Sequence, residues 1–324
     1  MLRGQESREQ ARRGRSAPQP ALLACSLSDI GCERQLNEDR AETIESNGAV
    51  TWIVLDGMGG AAGGEFAAQL ALDAITRYLQ AEHPEESNAD VLLSAFREAN
   101  RIIVLRRHNP DFAGMGTTAV ALRFDGKEAV INTIGDTRAY LIRDGAVQQL
   151  TVDHTFVQTL VDDGKLAPED ALNHPEAHVL TRCLGSEPNA QIETHRLWLW
   201  PPESEDDGDI VLLCSDGLYS LVPDIELGHI ASTMPPDEAC ARLVELARER
   251  GGYDNITVSI IPFKGLLKTS PPEASKGGRA RQKTPREPSA PKAGIMRHLI
   301  FLTLMSVLAA SATVGGFFVM RFLK

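Results

Sequence analysis

Apolar residues form short runs or alternate with polar residues along much of residues 21–263, and this pattern predicts β-strands joined by turns. Seven segments carry it: 49–55, 117–124, 128–134, 138–143, 190–199, 209–214 and 255–263. Asn47-Gly48, Asp125-Gly126 and Asp144-Gly145 are dipeptides typical of tight hairpin turns. The strands that such turns join are predicted to pair antiparallel.

Three longer segments repeat apolar residues at the spacing of a helix. They are EFAAQLALDAITRYL (65–79), in which Phe66 and Leu70 mark one face, ADVLLSAFREANRIIVLRR (89–107) and DEACARLVELARER (237–250). The third places Ala239 and Leu243 on one face and stops before Gly251. Because the helices are grouped rather than alternating with strands, the pattern predicts an α+β fold with antiparallel sheets covered by helices.

The pattern changes on both sides of this region. Residues 1–20 are rich in Arg, Gln and Pro, and we expect a disordered basic arm. Residues 265–297 are rich in Pro, Ser, Lys and Arg, the composition of an extended linker. Residues 299–320 are uncharged and mostly apolar, and as a helix this stretch is long enough to cross the roughly 30 Å hydrocarbon layer.

We therefore predict a catalytic domain over 21–264 and a single-pass transmembrane tail anchor over 298–324. A core helix is the alternative for the apolar stretch. The basic linker is expected to stay on the cytoplasmic side, which would attach the domain to the cytoplasmic face of the cell (inner) membrane.

The charge is distributed unevenly. The chain carries a net charge of −11, but residues 264–297 hold nine basic and two acidic residues, a net +7. Counting Arg321 and Lys324, residues 1–263 carry −20. A domain this acidic repels a phosphate backbone, so we expect a poor nucleic-acid binder and a good candidate for binding cations. The five cysteines include no CxxC pair, which argues against a disulfide framework or a cysteine-based zinc site.

Aspartates recur beside the apolar runs. Asp56, Asp136 and Asp216 each follow such a run, Asp254 precedes one, and Glu38-Asp39 lies in ERQLNEDR. A single Asp-Gly is more often a turn than a site. However, strand ends at one edge of a sheet bring such residues together, and clustered carboxylates need divalent counter-ions. Sites made only of oxygen ligands suit Mg²⁺ or Mn²⁺. Gly57 would let the chain turn tightly after Asp56.

Eight segments together resemble the protein phosphatase 2C family of metal-dependent Ser/Thr phosphatases, and the bacterial members in particular. They are GCERQLNEDR, DGMGG, the GTT after Met115, GDTRAY, LTVDHT, HPEAHVLTRCLG, SDGL and GGYDNIT. The resemblance covers nearly all of the predicted domain. It implies an αββα sandwich of two antiparallel sheets flanked by helices, with a binuclear metal centre and a flap over 153–185.

The resemblance also assigns roles to individual residues. Asp56 would bridge two metals, and Arg34 would bind the substrate phosphate; these two are the implied catalytic residues. The implied metal ligands are Asp39, Asp56, the Gly57 carbonyl, Asp136, Asp216 and Asp254, with Glu38 as a further candidate. Asp136 and Asp216 resemble the residues that hold a weaker third metal in several members.

The chain departs from the family pattern at two positions. Met58 stands where many eukaryotic members have the histidine proposed to protonate the leaving group, and a thioether cannot do so. His178 stands where the family often has Asn. With His154 and His174 it could be taken for a metal cluster, but solvent-facing flap residues are the better interpretation of all three.

The predicted function is metal-dependent hydrolysis of phosphoserine and phosphothreonine in proteins by a metal-activated water, opposite a Ser/Thr kinase. A non-catalytic module of the same fold would be expected to lose the metal-binding acids, which are all present. A two-metal nuclease is disfavoured by the acidic domain.

Overall fold

The computed structural model describes residues 24–59, 63–199 and 208–263. The predicted arm (1–20), linker (265–297) and tail anchor (298–324) lie outside the described residues. Within the three described ranges, no helix is long and apolar enough to span a membrane.

In the part of the chain that the structure describes, ten strands form two five-stranded sheets, and every pairing within them is antiparallel. The first sheet has the order β1-β10-β9-β6-β7, with bounds Cys25–Asp29, Ile256–Pro262, Ile210–Cys214, Arg138–Arg143 and Ala146–Gln149. The second has the order β2-β3-β4-β5-β8, with bounds Asp39–Ser46, Ala49–Met58, Gly116–Phe124, Ala129–Ile134 and Glu193–Leu197.

The predicted hairpin turns are present between β2 and β3, β4 and β5, and β6 and β7. Asn47 and Gly48 have φ values of 50° and 78°, and Asp144 and Gly145 have 50° and 75°. Two successive residues with positive φ match the twist of an antiparallel hairpin, which is why Asn-Gly and Asp-Gly predict it well.

The described residues contain six helices, five of which cover the outer faces of the two sheets. Their bounds are α1 Gly63–Gln80, α2 Asn88–Arg106, α3 Phe156–Asp162, α4 Asp216–Tyr219, α5 Asp224–Thr233 and α6 Pro236–Glu249. Short 3₁₀ turns lie at Pro110–Phe112 and Pro168–Asn173. Pro236 begins α6, a position where its missing N–H costs nothing, and the helix ends before Gly251 and Gly252.

Three apolar clusters separate the layers. One cluster lies between the second sheet and the helices α1 and α2, and another lies between the first sheet and α4, α5 and α6. The third lies between the two sheets, where the rings of Trp52 and Phe263 meet edge to face with centroids 6.4 Å apart. The strands β3 and β4 are covered on both faces, which explains their nearly continuous apolar sequence. The architecture is the expected four-layer α+β sandwich.

The face of α1 that packs against the second sheet includes several alanines. Phe66 and Leu70 are only partly buried, whereas the fully buried residues include Ala67, Ala68 and Ala71. Alanine side chains let the helix backbone lie close to the sheet, and the fully buried Ile75 and Leu79 complete the contact face. Phe66 instead stacks on Phe112 with ring centroids 4.9 Å apart.

Candidate active site

Asp39 and Asp56 face each other across adjacent strands. Asp39 begins β2 and is paired in register with Asp56 of β3. Asp56 does not end its strand, as the sequence suggested, because pairing with β4 continues through Gly57 to Met58. Directly opposed side chains in an antiparallel pair lie about 5 Å apart at Cβ, so two ionised carboxylates here would repel strongly.

Three more aspartates reach the same end of the sandwich from the first sheet. Asp136 lies between β5 and β6, Asp216 opens α4 after β9, and Asp254 lies just before β10. A cavity of about 470 Å³ opens there, with Asp39 buried behind it, and its charged and imidazole lining groups are Arg34, Glu38, Asp56, Asp136, His178, Asp216 and Asp254. The structure therefore brings the predicted site residues to one end of the sandwich, where all of them except Asp39 line a single pocket.

Asp39 and Asp56 are disfavoured as free carboxylates. Burial raises the pKa of Asp39 to about 7, although hydrogen bonds from Thr257 and Ser215 oppose the change. Burial also raises the pKa of Asp56 well above its usual range, and the neighbouring charges of Asp39 and Asp216 add to that rise. Without a cation, burial and mutual repulsion favour the protonated form of both carboxyl groups.

Burial and repulsion between carboxylates also raise the pKa values of Asp136 and Asp254. The pKa of Asp136 is raised well above its usual range, first by burial and then by repulsion from Asp216. The pKa of Asp254 is raised by burial and by Asp216, while the Arg34 guanidinium lowers it. The site thus concentrates carboxyl oxygens that need positive charge from outside the chain.

Several of these carboxylates already have partners within the protein. Arg34 Nη2 donates to Asp254 Oδ2 at 2.8 Å, His178 Nδ1 lies 3.2 Å from Asp216 Oδ2, and Ser215 Oγ donates to Asp39 Oδ2 at 2.8 Å. In this arrangement no three carboxylate, imidazole or thiol groups among the described residues are grouped closely enough to hold an ion.

The chemistry of the site nevertheless fits divalent ions. Its donors are carboxylate oxygens and one backbone carbonyl, a set typical of Mg²⁺ or Mn²⁺ sites. Asp216 Oδ1 is buried without a hydrogen-bond partner, which is costly unless the oxygen has another ligand. An unsatisfied oxygen beside several buried carboxyl groups is the arrangement that a cation would stabilise.

Gly57 is required for close approach rather than for a turn. A Cβ at this position would lie 2.2 Å from the Gly64 carbonyl oxygen and 2.7 Å from that of Glu38. The predicted tight turn after Asp56 is therefore wrong, since Gly57 lies within β3 and its N–H donates to the Glu38 carbonyl at 3.2 Å. The absent side chain lets three backbone segments meet at the pocket.

Asn255 fixes the loop that carries Arg34. Its Nδ2 donates to the carbonyls of Ile30 at 2.9 Å and Leu36 at 3.0 Å, and its Oδ1 accepts from the Glu38 N–H at 2.8 Å. The residue is buried and lines the pocket beside Asp254. Sequence reasoning quoted it within GGYDNIT but gave it no role, because all three partners lie more than 200 residues away.

The sequence analysis interpreted all three flap histidines as solvent-facing, and this is wrong for His154. His154 is not solvent-facing: it is buried, and its Nδ1 accepts from the Gly135 N–H at 3.0 Å. Burial lowers the pKa of His154, and the positive charge of Arg182 lowers it further. His174 accepts from the Glu176 N–H, and the exposed His178 lines the pocket. No shared metal site links the three among the described residues.

Comparison with known proteins identifies the family. The family model for protein phosphatase 2C matches residues 33–249, about two thirds of the chain. The chain belongs to the protein phosphatase 2C family. The serine/threonine protein phosphatase PstP of Mycobacterium tuberculosis is 39% identical over 243 residues, covering 74% of this chain and 44% of PstP. The serine/threonine phosphatase Stp of Listeria monocytogenes is 35% identical, covering 72% of this chain and 93% of Stp.

Solved structures of this phosphatase 2C family share the fold. A crystal structure of M. tuberculosis PstP aligns with a TM-score of 0.64 and 37% identity, covering 74% of this chain and 97% of the crystallised one. The PstP catalytic domain in complex with two manganese ions aligns with a TM-score of 0.63 and 36% identity, covering 74% and 96% of the two chains. The likeness includes the sheets that position the pocket. The chain spans only 44% of full-length PstP.

Proposed function

We propose that this protein is a metal-dependent phosphatase that hydrolyses phosphoserine and phosphothreonine in other proteins, opposite a Ser/Thr kinase. The observation that carries the proposal is the convergence of Asp39, Asp56, Asp136, Asp216 and Asp254 with one exposed arginine. The named activities of the PstP and Stp relatives support it.

In this proposal Asp56 would be a ligand of two Mn²⁺ or Mg²⁺ ions. Asp216 and Asp254 would be further ligands of one ion and the Gly57 carbonyl a ligand of the other, with Asp39 as a more distant ligand. When bound, such a pair of ions makes water acidic enough to be a nucleophile at neutral pH and neutralises charge on the phosphoryl group. Asp136 and Asp216 would hold a third ion, as the family resemblance implies.

Arg34 is proposed to bind the phosphate of the substrate. Its side chain is 46% exposed at the pocket, and only one of its nitrogens is committed to Asp254, with Glu38 more distant at 3.8 Å. A guanidinium offers five N–H donors in a planar fork, so donors remain for phosphate oxygens. The pairing with Asp254 orients the side chain beside the proposed metal ligands before substrate arrives.

The substitution Asp56→Asn tests the metal assignment. It removes the charge of the central ligand at nearly constant size, and we expect Mn²⁺-dependent hydrolysis of a phosphothreonine peptide to fall at least about a hundredfold. Asp73→Asn on the exposed face of α1, where Asp73 accepts from Gln69 Nε2 at 2.9 Å, is the matched control. Calorimetric titration with Mn²⁺ should show weaker binding for Asp56→Asn only.

Circular dichroism should confirm that both variants are folded. Near-normal turnover by Asp56→Asn would refute the metal-bridging role. Cleavage of DNA in place of phosphopeptides would instead favour a nuclease.

We also propose that residues 299–320 anchor the phosphatase domain (21–264) to the cytoplasmic face of a membrane through the basic linker. The support is the length and apolar composition of this stretch and the positive charge before it. The full chain should remain with membranes after alkaline carbonate extraction, whereas a chain ending at Phe263 should be released and active. Membrane retention of the shortened chain would refute the anchor.

A further inference from the structure

A second cavity adjoins the catalytic pocket. It has a volume of about 200 Å³, which is the space of roughly six water molecules. Met58 and Leu180 line both cavities, so these two side chains form the boundary between the pocket and the second cavity, within reach of groups beside a bound phosphate. The polar side chains that line the second cavity are Arg107, Thr181, Arg182 and Ser186.

Arg107 brings an uncompensated positive charge to this cavity. Its Nε donates to the Ala113 carbonyl at 2.9 Å and its Nη1 donates to the Gly185 carbonyl. These carbonyls fix the guanidinium in place but carry no formal charge. Among the described residues, none of the ion pairs involves Arg107. A fixed, half-buried cation without a carboxylate is an attractive position for an anion.

The positive charge of Arg182 is only weakly neutralised by its carboxylate neighbour. Its Nη1 lies 3.4 Å from Glu193 Oε1, longer than a strong charge-assisted hydrogen bond. The same carboxylate also lies 3.1 Å from His154 Nε2 and 3.5 Å from His195 Nε2. With a side chain that is 35% exposed, Arg182 can therefore direct donors to a ligand without leaving a carboxylate unpaired.

We propose that this second cavity is a subsite for an anionic group of the substrate, either an acidic side chain or a second phosphate near the residue being dephosphorylated. The inference rests on the proposed phosphatase function and adds a substrate class to it. In a domain that is otherwise strongly acidic, two arginines beside the pocket would select those phosphopeptides whose negative charge falls in reach of them.

The test uses phosphothreonine peptides that carry Ala, Glu or phosphoserine at each of the three positions on either side of the phosphothreonine. The quantity measured is the ratio of kcat/KM for each anionic peptide to that for its Ala counterpart, with the full chain and saturating Mn²⁺. We expect one position to give a ratio of about ten, the gain from one charge-assisted contact. Glu and phosphoserine peptides distinguish a carboxylate ligand from a phosphate.

Arg182→Gln and Arg107→Gln should each bring this ratio close to one. Because each ratio is internal to one variant, a general loss of activity cancels. Arg196→Gln removes the same charge from an exposed arginine paired with Glu128 at 2.5 Å, and should keep the wild-type ratio. Because Arg107 donates to two backbone carbonyls, its substitution also removes structural contacts, so Arg182→Gln alone decides the result.

Equal rates on all peptides, or a ratio that persists in Arg182→Gln, would overturn the subsite while leaving the phosphatase proposal intact. A wild-type chain that hydrolyses none of the peptides, including the Ala series, would overturn the proposed function and the subsite with it.

Discussion

Arg34 and Asp254, 220 positions apart in sequence, form an ion pair with Nη2 2.8 Å from Oδ2. The contact joins the loop after β1 to the loop before β10, two segments that also meet where the Cys32 N–H donates to the Gly252 carbonyl at 2.7 Å. The proposed phosphate-binding group and a proposed metal ligand are thereby held together as one unit. Their roles can be separated by substitution.

Arg34→Ala is expected to lower kcat/KM for a phosphopeptide by about 10- to 100-fold. This corresponds to the loss of one or two charge-assisted hydrogen bonds to phosphate, about 1.5–3 kcal/mol. Inorganic phosphate should also become a weaker inhibitor by a similar factor. Arg248→Ala is the matched control, because Arg248 pairs with Asp29 at 2.7 Å and is similarly exposed at 48%. Unchanged phosphate inhibition in Arg34→Ala would contradict the assignment.

Asn255→Asp is expected to reduce the free energy of unfolding by about 2–4 kcal/mol. The change preserves size but removes the two N–H donors that satisfy the carbonyls of Ile30 and Leu36, leaving them facing a buried carboxyl group. Urea unfolding measures the effect. Asn109→Asp is the control, since Asn109 lies at an exposed turn and its side-chain oxygen, which the substitution keeps, accepts from the Asp111 N–H at 3.1 Å. A loss below about 0.5 kcal/mol in Asn255→Asp would show that the loop is held by other contacts.

The sequence predicted the central strands well and missed strands at the edges. β1, β2 and β7 had no predicted counterpart, and each lies at the edge of its sheet. Their sequences, CSLSD, DRAETIES and AVQQ, mix polar and apolar residues because edge strands are partly exposed to solvent. The strands β3, β4 and β9 are buried on both faces, so their apolar runs gave a clear signal.

The acidic residues of the pocket could be predicted because each belongs to a local motif beside an apolar run. Their partners could not. His178 meets Asp216 across 38 residues, and His154 meets the Gly135 N–H across 19, and such pairs leave no periodic pattern in the sequence. The second cavity could not be predicted for the same reason. Arg107 follows α2 and Arg182 lies in the flap, so only the folded chain brings the two arginines together. Long-range side-chain contacts depend on the packed fold.

Gly57→Ala is expected to raise the Mn²⁺ concentration required for half-maximal activity by about tenfold or more. A Cβ 2.2 Å from the Gly64 carbonyl oxygen forces β3 or the start of α1 to shift, at a cost of about 1–3 kcal/mol, and displaces the proposed carbonyl ligand. In Gly63→Ala, by contrast, the nearest atom to the new Cβ is Met115 Cβ at 3.5 Å, an ordinary contact. Mn²⁺ titrations of both variants should therefore separate them, and equal half-maximal concentrations would refute the steric argument.

The metal-free protein is expected to lose stability as the pH rises from 6 to 8. The pKa of Asp39 is about 7 in the folded protein against 3.8 for an ordinary aspartate, so the folded state binds more protons than the unfolded state across this range. The stabilisation that comes from protonating Asp39 is complete below pH 3.8 and is lost as the pH rises through 7. The loss between pH 6 and 8 amounts to about 1.4 kcal/mol in the free energy of unfolding. Asp56 and Asp136, whose pKa values are also raised, act in the same direction.

The measurement is the melting temperature in EDTA and in saturating Mn²⁺ at several pH values. His154 acts in the opposite direction, because its lowered pKa favours folding at higher pH, but it does so mainly below its ordinary pKa of 6.5. Asp39→Asn should flatten the slope in EDTA. Protons and Mn²⁺ compete for the same oxygens, so Mn²⁺ should stabilise the protein more at pH 8 than at pH 6. A melting temperature in EDTA that rises steadily from pH 6 to 8 would show that these carboxyl groups are not held protonated in the metal-free fold.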